Sequence, residues 1–213
     1  MPSTVPTNRA TAARRVNLAL LGGALLLTSA RGDAGTDIWT STGPDGAPLQ
    51  GLAIAPSDGS VLYAAASRGA FRTADGAQSW HLAGIGSAVT RAVAVDTSDP
   101  DVVYFGQSTG IIKSTDGGLS GEPANEGLTS TDVFALAVDP NDAQIVLAGT
   151  ATGVFRSTNA GAAWTPASDG LTGTNFGALA FDPSDSQIAY AGSDRVFKST
   201  NAGTSWQETS AGL

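Results

Sequence analysis

Two carboxylates flanking one bond are the equipment of glycoside hydrolysis, and this chain has acids in quantity: 19 Asp and Glu among 213 residues. Most of them recur in register. Asp96, Asp139 and Asp182 share one slot of a repeat, and Asp58, Asp99, Asp142 and Asp185 share another. A recurring Asp reads as a turn residue, because its side chain accepts hydrogen bonds from its own downstream backbone. The acids outside the period are Asp45, Asp101, Glu122, Glu126, Asp132, Asp169, Asp194 and Glu208. Asp132 directly precedes the apolar run "VFALAV", where the matching positions hold Pro48, Val89 and Asn175. It is the single candidate for a catalytic acid. The preferred reading assigns no catalytic residue.

The other reactive side chains are also periodic. Arg72, Lys113, Arg156 and Lys198 fall in one slot and are spread along the repeat rather than gathered, and Tyr63, Tyr104 and Tyr190 share another. Arg91 is the one basic residue within a predicted inner strand. The single histidine, His81, follows Trp80, so neither a Ser-His-Asp triad nor a histidine metal cluster is credible. There is no cysteine, which excludes disulfides and thiolate sites. No phosphate-binding glycine loop or calcium loop occurs. No metal and no cofactor are expected.

The elements that carry these residues are repeats. Trp39, Trp80, Trp164 and Trp206 are 41, 84 and 42 positions apart. The gap of 84 holds one unit without its tryptophan. An octet recurs four times: "TADGAQSW" (73–80), "STDGGLSG" (114–121), "STNAGAAW" (157–164) and "STNAGTSW" (199–206). Gly121 stands in the tryptophan slot, and the first octet has its glycine one place early.

Each octet follows three apolar runs, as in "ALAVDPND" (135–142), "IVLAGT" (145–150) and "VFRS" (154–157), and a fourth begins at its last residues. Short β-branched and aromatic runs separated by Gly, Pro, Asn and Asp predict four strands per unit. Four strands in about 42 residues, in tandem, is the pattern of a propeller blade. The predicted fold is therefore all-β: a β-propeller of four-stranded antiparallel blades, in about four repeats of about 42 residues. Four blades are the lower limit for closure, and an incomplete or self-associating ring is the favoured arrangement. The first run of each unit is nearly all apolar and suits a strand buried on both faces. The octet then spans the turn between the third and fourth strands. Asp75, Asp116, Asn159 and Asn201 can accept backbone N–H groups there, and Gly118, Gly161 and Gly203 can take positive φ. Thr73, Ser114, Ser157 and Ser199 open the octets. Trp80, Trp164 and Trp206 supply an apolar body to clamp each loop onto its blade. All of these are expected to be structural.

The octet resembles the Asp-box, or BNR repeat, Ser-x-Asp-x-Gly-x-Thr-Trp. "STDGGLSG" keeps Ser114, Asp116 and Gly118, while Asn159 and Asn201 replace the acid. With "AVDP" and "GVFRSTNAG", the chain from about residue 37 to 213 is similar to secreted Asp-box propellers, a WD40/YVTN-like repeat fold. That group includes sialidases, xyloglucanases, sortilin-like receptors and photosystem assembly factors. The resemblance implies an octet at the blade periphery, away from the usual active site. Sialidases need a cluster of arginines, whereas the basic residues here are dispersed. The stretch 61–80 is closest to xyloglucanases, whose catalytic Asp follows a tyrosine in a Tyr-Ala-Arg-Thr-Asp pattern. Here "YAAAS" puts Ser67 at that place. The resemblance thus implies a non-catalytic module that binds or scaffolds a polysaccharide or protein ligand. A glycoside hydrolase of the sialidase or xyloglucanase kind, or a fragment of one, is the alternative.

Arg9, Arg14 and Arg15 precede the apolar run "VNLALLGGALLLTSA", and no acid occurs before Asp33. This is the layout of a secretory signal peptide over residues 1–30, too short and glycine-interrupted for a good membrane span. Residues 31–42 then read as a linker with an orphan fourth strand, "DIWTST", and 43–213 as the propeller domain. A secreted, periplasmic or cell-envelope location follows, with no membrane contact after cleavage. Without residues 1–30 the chain has 8 basic and 19 acidic residues, net −11. Such a surface repels phosphate backbones, so no nucleic-acid partner is expected.

Overall fold

Sixteen short strands make up four separate antiparallel meanders among the described residues. The computed structural model describes residues 43–44 and 48–209, within one compact unit, Ser41–Leu213. The expected signal peptide and the orphan strand at 37–42 lie outside the described residues.

Blade 1 consists of β1 (Leu49–Ala55), β2 (Asp58–Ala66), β3 (Gly69–Thr73) and β4 (His81–Leu82). Blade 2 is β5 (Thr90–Val95), β6 (Val103–Gln107), β7 (Gly110–Ser114) and β8 (Glu122–Pro123). Blade 3 is β9 (Val133–Val138), β10 (Val146–Thr150), β11 (Val154–Ser157) and β12 (Thr165–Pro166). Blade 4 is β13 (Ala178–Phe181), β14 (Ala189–Gly192), β15 (Val196–Ser199) and β16 (Gln207–Glu208). In every blade the strands pair in chain order, as short connections demand.

Alternation within a strand sends successive side chains to opposite blade faces, and at each of the three joints facing side chains of neighbouring blades pack together. Ala53 and Tyr63 of blade 1 meet Val95, Val103 and Phe105 of blade 2. Ala92, Tyr104 and Ile111 of blade 2 meet Leu136, Val146 and Phe155 of blade 3. Leu147 and Val154 of blade 3 meet Ala189, Ala191 and Phe197 of blade 4. The chain therefore has one apolar core per blade joint.

Inner strand β1 packs on β5, β5 on β9 and β9 on β13, but β13 makes no comparable contact with β1. The sheets form an open arc, in line with the incomplete ring expected from four units. Strands β5 and β9 are largely buried, whereas β1 and β13 are not. Leu52 and Ile54 are 63% and 59% exposed. The expectation of first strands covered on both faces holds where a blade lies on each side and fails at the two ends of the arc.

Candidate functional site

The antiparallel meander places the start of each inner strand at one rim and the octet turn at the other. Three of the four inner strands begin with the same irregularity. Leu49 pairs with Ala66 and Gly51 with Ala65, leaving Gln50 without an opposite residue. Thr90 pairs with Gln107 and Ala92 with Gly106, leaving Arg91. Val133 pairs with Thr150 and Ala135 with Gly149, leaving Phe134. A β-bulge adds one residue to a strand and re-aims its side chain, often beside a functional site. Gln50, Arg91 and Phe134 thus occupy one equivalent, displaced position on three successive blades.

Two of these side chains touch. The Arg91 guanidinium lies 5.0 Å from the Phe134 ring centroid, and its Nη1 donates to Asp132 Oδ1 at 2.5 Å. The Arg91 and Asp132 side chains stay 24% and 39% exposed. Asp132, the candidate acid of the sequence, therefore sits at the inner rim and binds Arg91 across the joint of blades 2 and 3. Asn175, at the matching place before β13, has φ of 58° and lines a shallow depression with Gly177, Ser193 and Asp194. The bulge row was not legible as a site in the sequence. Its only trace was Arg91, a lone cation in an apolar run.

At the opposite rim the four octets share one hydrogen-bond scheme. The opening hydroxyls of Thr73, Ser114, Ser157 and Ser199 donate to the third-position side-chain oxygen at 2.7, 2.8, 2.9 and 2.8 Å. The same hydroxyls accept the N–H of Ala77, Gly118, Gly161 and Gly203. Asp75, Asp116, Asn159 and Asn201 in turn accept the N–H of Ser79, Ser120, Ala163 and Ser205. Asp75 and Asp116 also accept the hydroxyls of Ser79 and Ser120 at 2.6 Å. Hydrogen bonds to the charged form favour it, so the Asp116 carboxyl is held down at about 2, first through Ser120. The Asp75 carboxyl lies lower still, first through Ser79. Asn159 and Asn201 build the same turn without a charge.

The octet also forms the joint between blades. Tyr63 Oη donates to Gly117 O at 3.0 Å and Tyr104 Oη to Ala160 O at 2.9 Å. Lys113 Nζ and Arg156 Nε donate to Ala160 O and Ala202 O, both at 2.8 Å. The dispersed basic slot of the sequence thus reaches, at two joints, the fourth-position carbonyl of the next octet. Trp164 Nε1 and Trp206 Nε1 donate to Ala124 O and Ala167 O at 2.8 Å. Those carbonyls belong to the preceding blade. The sequence suggested that each tryptophan clamps its loop onto its own blade; Trp164 and Trp206 pack there and also latch onto the blade before. Blade 2 has Gly121 in this slot, where a Cβ would stand 2.6 Å from Ile112 Cγ2 and 3.0 Å from Ile85 Cγ2. Those two isoleucines crowd the place that tryptophan takes elsewhere.

The recurring acids sit in the turns after the first strands. Asp96 and Asp182 accept backbone N–H groups from Ser98 and Ser184, and Asp58, Asp142 and Asp185 accept them likewise two residues on. Among the described residues no group of three His, Asp or Glu is placed to hold a metal, and no helix is long and apolar enough to cross a membrane.

No family model matches the chain, and no curated protein does. Solved structures do match. An ancestral GH74 enzyme superposes with a TM-score of 0.67 and 27% identity, over 76% of this chain and 24% of that one. The GH74 xyloglucanase from Xanthomonas campestris gives 0.61 and 22%, over 79% and 31%. The extracellular domain of BT4673 from B. thetaiotaomicron gives 0.59 and 13%, over 75% and 22%. The chain spans less than a third of the length of each. Its neighbours in fold thus include GH74 enzymes and the extracellular domain of a putative one component system. What they share with this chain is the β-propeller, here as an open arc of four four-stranded antiparallel blades.

Proposed function

We propose that the chain is a secreted, non-catalytic β-propeller module that holds a polysaccharide segment on the rim carrying Gln50, Arg91, Asp132 and Phe134. The carrying observation is the row of bulged side chains. A phenyl ring gives an apolar platform for the C–H face of a sugar. The guanidinium and carboxylate of Arg91 and Asp132 beside it, and the Gln50 amide two blades away, offer donors and acceptors to hydroxyls. The row crosses three blades, which suits a chain of sugar units better than a single one. On this reading Thr73, Asp75, Trp80, Ser114, Asp116, Gly118 and their counterparts in blades 3 and 4 frame the turns and the joints, remote from the ligand.

Asp132 has a positioning role in this scheme, holding Arg91 over Phe134. Hydrolysis would need two carboxylates about 5 to 10 Å apart across the bond, whereas the carboxylate beside Arg91 and Phe134, that of Asp132, is engaged by the Arg91 guanidinium. The net charge of −11 without residues 1–30 favours a neutral glycan over an acidic one. Calorimetric titration with xyloglucan and cellulose oligosaccharides tests the proposal. Phe134→Ala is expected to weaken binding at least tenfold, the equivalent of about 1.4 kcal/mol. Unchanged binding in Phe134→Ala would place the ligand elsewhere. Binding to a protein segment and to no glycan would replace the ligand class.

A further inference from the structure

On the rim of the bulge row, blade 4 departs from the pattern that the other three blades keep. In blades 1 to 3 the hairpin between the second and third strands closes onto the entry of the inner strand. Ser67 N donates to Pro48 O at 3.2 Å, Ser108 N to Val89 O at 3.0 Å and Ala151 N to Asp132 O at 3.1 Å. The hairpin of blade 4 is one residue shorter, and Arg195 precedes Val196 where Gly153 precedes Val154. There Ser193 N donates to Arg195 O at 2.9 Å, so this hairpin closes on itself. The entry segment of blade 4 leans the other way, onto blade 3: Asn175 N donates to Ala151 O and Phe176 N to Thr150 O, both at 3.1 Å.

Between entry segment and hairpin lies a depression of about 450 Å³, lined by Gly173, Thr174, Asn175, Ser193 and Asp194. It sits where the chain crosses from blade 3 to blade 4. Its lining is polar and carries no aromatic ring. The Asp194 carboxylate accepts the Ser193 hydroxyl at 2.9 Å, which leaves it further lone pairs for a ligand. Arg195, next in the chain, is turned to Glu208, with Nη1 donating to Oε2 at 2.8 Å. Gly173, with φ of 98°, keeps the carboxylate open: a Cβ there would stand 2.9 Å from Asp194 Oδ1 and 3.2 Å from Ser193 Oγ. Asn175 has the left-handed φ of 58°, a conformation in which Asn is enriched, and its side chain is exposed. The depression is continuous with the bulge row, because Ala151 bonds Asp132 on one side and Asn175 on the other.

We propose that this depression is a separate subsite for one end unit of the glycan, gripping a neutral sugar by its hydroxyl edge through Asp194 and Asn175. The inference rests on the sugar-binding reading and extends the row of three blades onto the fourth. The carboxylate accepts from one hydroxyl while the amide donates to or accepts from its neighbour. Without a ring to stack on, the unit is held by its edge, whereas Phe134 takes the face of a unit further along. An acidic sugar is rejected, since its carboxylate would stand against that of Asp194.

Calorimetric titration of the full chain with cellulose oligosaccharides, from the dimer to the hexamer, tests it. Two variants are compared with the parent. Asn175→Gly removes the amide and keeps the left-handed backbone at no steric cost. Asp194→Ala removes the carboxylate from an exposed hairpin. Both are expected to keep the circular dichroism of the parent. Parent affinity is expected to rise with length until one oligosaccharide reaches both Phe134 and the depression. Each variant is expected to weaken the longer oligosaccharides about tenfold, the loss of a hydrogen bond to the ligand, and to leave the dimer unchanged. Phe134→Ala is expected to weaken every length. A parent that binds no oligosaccharide overturns the sugar-binding reading and this subsite with it. A parent weakened by Phe134→Ala but indifferent at every length to Asn175→Gly and Asp194→Ala overturns the subsite alone. Equal losses at all lengths in the two variants overturn it too, since an end unit cannot be felt by an oligosaccharide too short to reach it.

Discussion

Substituting Gly161 by alanine puts the octet geometry to a quantitative trial. Gly161 has φ of 78° and follows Ala160 at 53°, so two successive residues lie in the left-handed region. An alanine there costs about 1–2 kcal/mol in backbone conformation. Its Cβ would also stand 2.9 Å from Tyr104 Cε1 and 3.5 Å from Trp164 Cζ2, inside a joint where both rings are buried. Overpacking of that kind costs about 1–3 kcal/mol. The sum is about 2–5 kcal/mol, a large share of the total for a domain of this size. Ala160 offers the converse. Ala160→Gly relieves the left-handed strain but adds about 0.5–1 kcal/mol of glycine entropy, for a net gain of about 0.5–1 kcal/mol. Urea unfolding followed by tryptophan fluorescence reads both, with unchanged slope as the sign of an intact cooperative unit. Gly161→Ala within 0.5 kcal/mol of the parent would refute the claim that the preceding blade closes over this turn.

Three further outcomes follow. Trp164→Phe removes the donor to Ala124 O and opens space in a residue only 2% exposed; about 2–4 kcal/mol of stability should be lost, measured by the same urea titration. Acid should destabilise blades 1 and 2 through Asp75 and Asp116, whose carboxyls are depressed in the folded chain; their contribution is complete above the ordinary carboxylate value of 3.8 and fades as pH falls toward about 2. Asp116→Asn should therefore shrink the fall in melting temperature between pH 4 and pH 2, and an identical fall would contradict the role of the charge. Arg91→Ala breaks a partly exposed ion pair, so it should change stability by no more than about 1 kcal/mol while weakening oligosaccharide binding; a loss of both together would mark Arg91 as a fold residue instead.

The fold was largely legible because the repeat states its pattern four times. One apolar run of six residues could be a strand or a buried helix segment, but four in register with turn residues between them leave a single architecture. The octets were legible for the same reason, down to the interchange of Asp116 and Asn159, since either side chain offers the same acceptor. Contacts between repeats were harder to read. The slot of Tyr104 repeats in three units and the basic slot of Lys113 in all four, yet their target, Ala160 O, is a backbone atom about 50 residues away and has no residue type of its own. The tryptophan latch onto the preceding blade was missed on that account. The bulge row was hidden more deeply. Gln50, Arg91 and Phe134 share no chemistry, and only the pairing of their neighbours reveals that they occupy one position. The exposed ends were visible in part: four units are few for a ring, but only the arc shows which faces of β1 and β13 stay wet.

The central claim is binding without bond cleavage on the rim of the bulge row. Incubation of the chain with xyloglucan, with reducing ends measured over time and bound oligosaccharide measured in parallel, tests it most directly. The account predicts binding that Phe134→Ala weakens, and no reducing ends above the protein-free control. Steady release of reducing ends that Asp132→Ala abolishes would contradict it and make Asp132 a catalytic residue.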